Sequence, residues 1–552
     1  MKFVWTLSYV CSFLHIIEGE IFSSVYKLSI LAKEEGKLLE AFKKFVTIQI
    51  NDQRSIYFEL QRLLDDLEPT VSQSCQDPKY AENPINAFHL IGRFVYKWPV
   101  VFANILCEDC ELDEAALHLN MTYQTVNGKI DYWPDDHDIK ASAQALLRLR
   151  TFYYFNIDET INGVLFGEHC QPLNPSQILK LIRIATDSNM LHEARLWCEA
   201  LLRKLPFSSY KDEHVNEVAI LRLLATIYNK AGMHERAADI LFPLHQLGHS
   251  EIDREYELYK NNVIETGEPH NIALVKDEYD SQYKQLCREN RKVSAYSIVN
   301  FSVSKRPTRF TTPRELSELY CYLSNTSIPY YKGKLEIVNL QPVIYLFHDV
   351  ISNNEAAYFR NEATKKFKRS VVLGDDGHGF STDKERISQT AWLFDELEIV
   401  KRATLRVGLL TGLVTTWSPL YSNSEPFQIV NYGIGGMYHP HFDALLSDKR
   451  LQGVVEANEI QELKGTGDRI ATWLYYLNDV EVGGATVFPN INTRVPVIKG
   501  AAAFWYNLLP RGDSDNRTLH AGCPVVIGSK WVGNKWIREA GQMFKRPCDL
   551  DL

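Results

Sequence analysis

The sequence predicts an α+β protein of several domains, with a helical N-terminal half and a β-rich C-terminal domain. Two stretches, 27–72 and 139–262, carry apolar residues at helical spacing. From residue 431 onward, short apolar segments alternate with turn residues, which is typical of strands. A chain of 552 residues, 45% of them apolar, is long enough for about two to four domains with cores of their own.

The first 19 residues have the layout of a secretory signal peptide. Lys2 precedes an apolar run over 3–17, and Glu18-Gly19-Glu20 follows it, so cleavage is expected near Gly19. A buried first helix is the alternative. We expect no membrane span, because no later apolar run reaches about 18 residues. Four N-glycosylation triplets agree with a secretory route, at Asn120, Asn300, Asn325 and Asn516.

The charge of the chain argues against one class of partner. The net charge is −9, and no block of basic residues occurs. A nucleic-acid surface needs a concentration of positive charge. We therefore expect no DNA or RNA partner.

Residues 20–138 are predicted to form a helical domain. Its first helix has two rows of apolar residues in a heptad pattern. The first row is spaced by seven and consists of Leu31, Leu38 and Phe45, and the second contains Leu28 and Phe42. This spacing is typical of helix pairing between chains. An amphipathic helix packed inside its own domain has the same pattern, so both readings stay open.

Residues 139–262 are predicted to form a second helical module. The small residues of the stretch 224–238 are spaced as in a tetratricopeptide-like helix pair, and 181–202 resembles a partner repeat. Tyr228 lies in this module and is either a groove residue or a packing residue. The polar stretch 263–339 is expected to be a linker, and 340–552 the last domain.

The residues with the most chemical information are His441, Asp443 and His520. In a strand, side chains two apart point to one face, so His441 and Asp443 can bind one metal ion. His520 supplies a third ligand. Two histidines and a carboxylate on one face of a metal form the arrangement of non-haem Fe(II) oxygenases. Zinc sites usually have a different set of protein ligands.

Lys530 follows His520 by ten residues, across a segment rich in β-branched residues. A cosubstrate such as 2-oxoglutarate chelates iron at one end and leaves a distal carboxylate that needs a cation. A lysine on a neighbouring strand meets that need. The metal motif and this lysine together are more informative than either alone.

Several motifs make the sequence resemble a known family, the alpha subunits of animal collagen prolyl 4-hydroxylases. The motifs are FHDVIS at 347–352, WVGNKW at 531–536, RPC at 546–548 and, less closely, NPINAF at 83–88. The family belongs to the Fe(II)- and 2-oxoglutarate-dependent dioxygenases. The resemblance implies that 340–552 is a double-stranded β-helix (jelly-roll), that 20–138 is a dimerisation domain, and that 139–262 binds peptide substrate.

Carried over residue by residue, the resemblance gives each candidate a role. It makes His441, Asp443 and His520 the iron ligands, and Lys530 the partner of the distal carboxylate. Tyr432 and Thr486 become hydroxyl partners of 2-oxoglutarate. Near the iron, the peptide groove would be lined by Tyr438, Arg469 and Trp505, for which a packing role is an equal alternative.

The sequence departs from the family in two places. His439 stands where relatives usually carry Glu, and on a strand it shares a face with His441, so it is a second candidate ligand; we favour His441. In the helical module, relatives place adjacent tyrosines where this chain has Asn189-Met190-Leu191. Tyr228 is the aromatic residue of the substrate groove that clearly matches.

The resemblance implies a procollagen-proline 4-dioxygenase alpha subunit that uses Fe(II), 2-oxoglutarate, O2 and ascorbate. The alternatives are an oxygenase acting on a non-collagen secreted protein and a non-catalytic assembly subunit. The last would predict a broken ligand set, but all the ligands are present. The implied partners are a proline-rich or collagen-like substrate and protein disulfide isomerase as beta subunit, in a tetramer of two alpha and two beta chains.

The expected location is the lumen of the endoplasmic reticulum. The chain ends Asp549-Leu550-Asp551-Leu552, which is not a retrieval signal, so retention is expected to come through the partner. The resemblance also implies disulfides Cys287–Cys321 and Cys523–Cys548, which an oxidising lumen permits. Cys107 and Cys110 are expected to form a local bridge or stay as thiols. Three cysteines stay unassigned, Cys75, Cys170 and Cys198.

Overall fold

A computed structural model describes most of the chain. The described residues are 24–51, 57–105, 113–130, 132–205, 215–248, 250–266, 282–288, 308–309, 319–326, 330–370, 372–373, 380–381, 386–416, 422–446, 463 and 465–549. They fall into two compact units, Tyr26–Ser281 and Gln282–Leu552. The predicted signal peptide lies outside the described residues.

The first unit is helical. Its α-helices are Val25–Asn51, Tyr57–Gln76, Pro84–Gly92, Trp98–Ile105, Glu114–Asn127, Asp136–Tyr153, Ile157–Ile161, Pro175–Asp187, Leu191–Lys204, Glu217–Lys230, His234–Gln246 and Ser250–Thr266. A π-helical segment, Arg93–Lys97, joins two of them. A short hairpin of β1 (Val164–Leu165) and β2 (Glu168–His169) also belongs to this unit.

The apolar stripe of the first helix is buried inside its own unit. Its five residues have almost no exposed surface: Leu28, Leu31, Leu38, Phe42 and Phe45. The ring of Phe42 packs edge-on against Trp98 of another helix, with centroids 6.3 Å apart. Of the two readings left open for this stripe, packing within the domain fits the structure, because the stripe is already covered by the same chain.

The second half of the helical unit is built of successive helices that pack on one another, from Pro175–Asp187 to Ser250–Thr266. The helix Pro175–Asp187 begins with a capping box, in which Asn174 and Gln177 bond each other's backbone N–H groups. Tyr228 lies in this half and is only 8% exposed. Its role in a substrate groove stays a prediction.

The second unit contains most of the strands. They are β3 (Thr308–Arg309), β4 (Cys321–Asn325), β5 (Lys332–Leu340), β6 (Val343–His348), β7 (Lys368–Arg369), β8 (Val372–Leu373), β9 (Phe380–Ser381), β10 (Gln389–Leu393), β11 (Phe427–Tyr432), β12 (Tyr438–His441), β13 (Arg469–Tyr476), β14 (Val482–Gly483), β15 (Thr486–Phe488), β16 (Thr493–Val495), β17 (Ala502–Tyr506), β18 (His520–Gly522), β19 (Val525–Ile527) and β20 (Lys530–Arg538). Its helices are Gln282–Cys287, Asn353–Thr364 and Glu398–Thr411.

Most of these strands form a large and a small antiparallel sheet, and β14 with β19 and β8 with β9 form two-stranded sheets. The large sheet has the order β4-β5-β6-β17-β13-β20-β11-β10-β7, and the small one β12-β18-β15-β16-β3. Side chains alternate between two cores: Trp473 and Tyr475 of β13 face one, and Leu474 and Tyr476 face the other. The second core also takes Phe488 from the small sheet, so it lies between the sheets. This sheet-rich architecture is consistent with a jelly-roll.

The predicted linker over 263–339 is wrong for part of its length. Helix Gln282–Cys287 and strands β3, β4 and most of β5 belong to the second unit, and β4 and β5 form the edge of its large sheet. The edge position explains the error: β4 is exposed along most of its length, so its sequence is polar enough to resemble a connection.

The predicted disulfides are also wrong. The structure joins Cys287 to Cys523, whereas Cys321 and Cys548 are exposed free thiols. Helix Gln282–Cys287 brings the Cα atoms of the two bonded cysteines to 5.5 Å, which is within the range for a disulfide. Cys107 and Cys110 lie outside the described residues. Within those residues, no helix has both the length and the apolar character to span a bilayer.

Candidate metal centre

His441, Asp443 and His520 converge at one point of the second unit. His441 and His520 are direct partners across the ladder between β12 and β18. Asp443 follows β12 by two residues. Nε2 of His520 lies 3.5 Å from Oδ2 of Asp443, and Nε2 of His441 lies 3.9 Å from Oδ1. One ligand atom from each residue lies within 4.8 Å of the others, so the three can hold one metal ion.

Backbone carbonyls fix the orientation of both imidazoles. Nδ1 of His441 lies 2.8 Å from the carbonyl oxygen of His439, and Nδ1 of His520 lies 3.0 Å from that of Thr518. Because a carbonyl oxygen only accepts, Nδ1 must donate the proton in both rings. The lone pair then lies on Nε2, the atom that faces Asp443. Burial lowers the pKa of His441 to about 3, which keeps that imidazole neutral and able to ligate a metal.

The carboxylate of Asp443 is held in place by a hydroxyl from the large sheet. Oγ1 of Thr472 donates to Oδ2 of Asp443 at 2.6 Å, and Nδ2 of Asn507 donates to Oγ1 of Thr472 at 2.9 Å. Burial alone would raise the pKa of Asp443, but the imidazoles of His520 and His441 and the guanidinium of Arg469 lower it overall. Asp443 is therefore an ionised carboxylate, as a metal ligand must be.

Arg469 lies beside this carboxylate, with its guanidinium held by Glu425. Its Nε and Nη2 donate to the two carboxylate oxygens of Glu425 at 2.6 and 2.9 Å. Its Nη1 donates to the carbonyl oxygen of Asp443 at 3.3 Å, and Cζ lies 3.7 Å from the ring centroid of Trp536. The guanidinium of Arg469 thus bonds mainly to Glu425 and makes one further hydrogen bond to the backbone of the metal-site residue Asp443.

Aromatic rings cover both imidazoles. The ring of Tyr438 stacks on His441 with centroids 3.5 Å apart, and Cζ of Arg386 lies 4.8 Å from the centroid of that tyrosine ring. Trp505 meets His520 edge-on at 4.8 Å, and Phe488 lies 5.7 Å from the same imidazole. These rings limit the access of water to the metal-binding atoms.

Lys530 lies in a buried polar pocket together with Thr486, Tyr432 and Tyr476. Its Nζ donates to Oγ1 of Thr486 at 3.2 Å and lies 5.7 and 5.8 Å from the ring centroids of Tyr432 and Tyr476. The hydroxyl of Tyr476 donates to Oγ1 of Thr486 at 2.9 Å. Thr486 and Tyr438 are both ladder partners of Gly522, which joins this pocket to the strands of the metal ligands.

The environment of Lys530 suits an anion. The residue is only 3% exposed. Burial, with a smaller effect from the nearby Arg494, lowers the pKa of Lys530 to about 7. A bound carboxylate would restore the charge of the ammonium group and satisfy its remaining donors. The pocket therefore fits the acidic end of a small molecule.

The structure adds residues that the sequence did not indicate. Each of them contacts a predicted site residue: Thr472, Asn507, Glu425, Arg386 and Tyr476. No required spacing in the sequence links Thr472 or Asn507 to the residue that it supports, so the sequence carried no signal for them. The second candidate ligand, His439, does not belong to the metal-binding group found among the described residues.

The residues present fit ferrous iron and a 2-oxo acid. Two imidazoles and one ionised carboxylate form a three-ligand set, which leaves positions free for a chelating cosubstrate. A buried lysine and a threonine hydroxyl supply the donors for a distal carboxylate. A structural zinc site would usually contribute four protein ligands instead.

Comparisons with known proteins agree with this chemistry. Residues 24–167 match the family model described as "Prolyl 4-Hydroxylase alpha-subunit, N-terminal region", and residues 427–538 match "2OG-Fe(II) oxygenase superfamily". Prolyl 4-hydroxylase subunit alpha-1 of Homo sapiens is 31% identical over 556 residues, covering 96% of this chain and 95% of that protein. Prolyl 4-hydroxylase subunit alpha-2 of Caenorhabditis elegans is 32% identical over 491 residues, covering 86% and 84%.

Among solved structures, the chain is similar to the viral collagen prolyl hydroxylase of Paramecium Bursaria Chlorella virus-1 in its 2OG complex. The sequence identity is 25%, the TM-score 0.26, and the match covers 35% of this chain and 95% of that one. The identity to the human alpha-1 subunit over nearly the full length of both chains decides the family. The chain belongs to the prolyl 4-hydroxylase alpha-subunit family, and it is an enzyme with a 2OG-Fe(II) oxygenase domain.

Proposed function

We propose that this chain is the catalytic alpha subunit of a procollagen-proline 4-dioxygenase, which converts peptidyl proline to 4-hydroxyproline. One observation carries the proposal: in the domain that matches the oxygenase family, the buried Lys530 bonds Thr486, whose strand pairs with the strand of the metal-binding His520. The relatives that match nearly the whole chain are named as alpha subunits of prolyl 4-hydroxylases.

His441, Asp443 and His520 would hold Fe(II), and Lys530 with Thr486 and Tyr432 would hold the distal carboxylate of 2-oxoglutarate. When bound, iron and 2-oxoglutarate supply the oxidative chemistry that inserts one oxygen atom of O2 into a C–H bond and releases succinate and CO2. The chain itself keeps the Nε2 lone pairs of both imidazoles on the metal side and the carboxylate ionised. Its aromatic walls of Tyr438 and Trp505 shield the site from water.

The peptide would approach along Trp505, Tyr438 and Arg469. Trp505 supports this because its ring meets the imidazole of His520 edge-on at 4.8 Å, beside the metal-binding atoms. Arg469 would act mainly by positioning, since Glu425 holds its guanidinium. Ascorbate would return over-oxidised iron to the ferrous state.

The helical unit would provide dimerisation and peptide binding, the latter through a tetratricopeptide-like module. Its helices Glu217–Lys230 and Ser250–Thr266 face each other through polar pairs, among them Arg222 with Glu255 at 2.7 Å and Asn262 with Asn229 at 3.2 Å. Tyr228 is buried in the first of these helices. Tyr228 is the residue of this module that we propose for the peptide groove.

We further propose that the chain works in the lumen of the endoplasmic reticulum with protein disulfide isomerase as beta subunit, in a tetramer of two alpha and two beta chains. The apolar N-terminal run supports entry into the secretory pathway. The buried disulfide Cys287–Cys523 agrees with an oxidising compartment.

The test is a peptide assay with the co-expressed complex. It is incubated with Fe(II), 2-oxoglutarate, ascorbate and a panel of proline-containing peptides, and added oxygen is mapped by mass spectrometry. We expect a gain of one oxygen atom on proline that depends on 2-oxoglutarate, with succinate formed in equal amount. Oxygen on another residue type would point to the non-proline alternative, and binding without any turnover would point to an assembly subunit.

A further inference from the structure

The short helix Gln282–Cys287 packs against the small sheet, which contains the strands of both histidine ligands. It lies next to β15 and β16, and three of its residues are buried, Tyr283, Leu286 and Cys287. Its first residue, Gln282, bonds the side chain of Asn492 between β15 and β16. The helix stands more than 150 residues before the metal motif in the sequence, so nothing in the motif itself indicates this contact.

Tyr283 contacts the backbone where the metal-ligand strands meet. Its hydroxyl donates to the carbonyl oxygen of Gly522 at 2.9 Å. Gly522 pairs with Tyr438 of β12 on one side and with Thr486 of β15 on the other. This single hydrogen bond therefore holds the strand of His520 at a fixed place between the strands of His441 and Thr486.

The side chain of Tyr283 also approaches β12 itself. Its ring lies 6.2 Å from that of His439, and the carbonyl oxygen of His439 is the acceptor that orients the imidazole of His441. On the other strand, Cys523 follows His520 by three residues and bonds Cys287 at the end of the helix. Both metal-ligand strands are thus tied to one helix, through a ring contact and hydrogen bond at one end and a disulfide at the other.

We infer that helix Gln282–Cys287 is a positioning segment of the metal centre, with Tyr283 as its main positioning residue. Tyr283 sets the register between β12 and β18, and with it the separation of the two Nε2 atoms that ligate the metal. The disulfide keeps the helix seated against β18. The inference rests on the proposed function, because it assumes that these imidazoles bind a metal ion.

The test measures binding of Mn(II) alone to the full chain, co-expressed with protein disulfide isomerase and freed of metal. Free Mn(II) is quantified by its electron paramagnetic resonance signal. For Tyr283→Phe, which keeps the ring and removes the hydrogen bond, we expect the Kd to rise about fivefold, the worth of one buried hydrogen bond. For the double variant Cys287→Ser with Cys523→Ser, we expect the Kd to rise about tenfold or more, as when a residue that holds a metal ligand in place is lost.

The matched control is Tyr320→Phe, which makes the same change at an exposed tyrosine of the same unit. It should leave the Kd unchanged. If Tyr283→Phe lowers the melting temperature but binds Mn(II) as tightly as the wild type, the tyrosine is only a packing residue and the inference is overturned. If the wild type itself shows no saturable Mn(II) binding, the proposed metal function fails as well, so the two failures are distinguishable.

Discussion

Replacing Asp443 with Ala is expected to abolish metal binding and to lower hydroxylation at least about a thousandfold, equivalent to about 4 kcal/mol. Asp443 supplies the carboxylate of the triad, and its two oxygens face the Nε2 atoms of His441 and His520. Two imidazole ligands alone leave the charge of a divalent ion unbalanced. The measurement is Mn(II) binding together with turnover of 2-oxoglutarate by the co-expressed complex.

The matched control for this substitution is Asp513→Ala, at an exposed aspartate of the same unit. It should retain metal binding and activity. Loss of Asp443 also removes the 2.6 Å hydrogen bond from Oγ1 of Thr472, so the melting temperature of each variant must be compared with the wild type. A folded Asp443→Ala chain that still binds Mn(II) and hydroxylates peptide would show that the ligand set is wrong.

Lys530→Met is the second substitution with a large expected effect. It should raise the Kd for 2-oxoglutarate about a hundredfold, because the distal carboxylate would be left buried without its cation. Mn(II) binding in the absence of 2-oxoglutarate should stay close to that of the wild type, since no metal ligand changes. Binding is measured by calorimetry in the presence of saturating Mn(II).

Strand β20 offers a matched control in Lys535→Met. Lys535 is also fully buried, but it lies against Asp395 and the ring of Phe427, in the core on the other face of the sheet. Its loss should leave the affinity for 2-oxoglutarate unchanged. An equal loss of affinity in both variants would mean that the effect comes from damage to the strand, and that Lys530 has no specific role.

The lowered pKa of Lys530 also predicts the direction in which the Kd for 2-oxoglutarate changes with pH. With its pKa lowered to about 7, the amine loses its proton as the pH rises above neutral, and only the ammonium form pairs with a carboxylate. The wild-type Kd for 2-oxoglutarate should therefore rise with pH between about 6.5 and 8.5, whereas that of Lys530→Met should be flat. Arg494 stays charged, and burial raises the pKa of Tyr432 to about 12, so neither titrates in this range.

The sequence predicted the residues of the site whose type and spacing are fixed by chemistry. His441 and Asp443 stand two apart, and Lys530 follows His520 closely, so motif and family resemblance pointed to the same four residues. Thr472 and Glu425 were not predicted, because a hydroxyl or a carboxylate that supports a ligand from another strand has no required spacing. Their contacts with Asp443 and Arg469 arise only when β13 and the start of β11 meet the loop after β12.

The disulfide and the predicted linker show a second limit of prediction from the sequence. Cys287 bonds Cys523 across 236 positions, and neither order nor spacing along the chain indicates that pairing. The expected linker contained β4 and most of β5, and the exposed residues of the edge strand β4 resemble a connection until the rest of the sheet is in place. For the stripe of the first helix, the sequence allowed two readings that differ only in which chain covers it.

The central claim is that the triad and Lys530 belong to one site for a metal ion and a diacid. The most direct test is a crystal of the complex grown with Mn(II) and 2-oxoglutarate and measured for anomalous scattering. We expect a metal peak at bonding distance from Nε2 of His441, a carboxylate oxygen of Asp443 and Nε2 of His520, with the distal carboxylate of the diacid on Nζ of Lys530. A metal peak elsewhere, or a diacid whose far carboxylate points away from Lys530, would contradict the account.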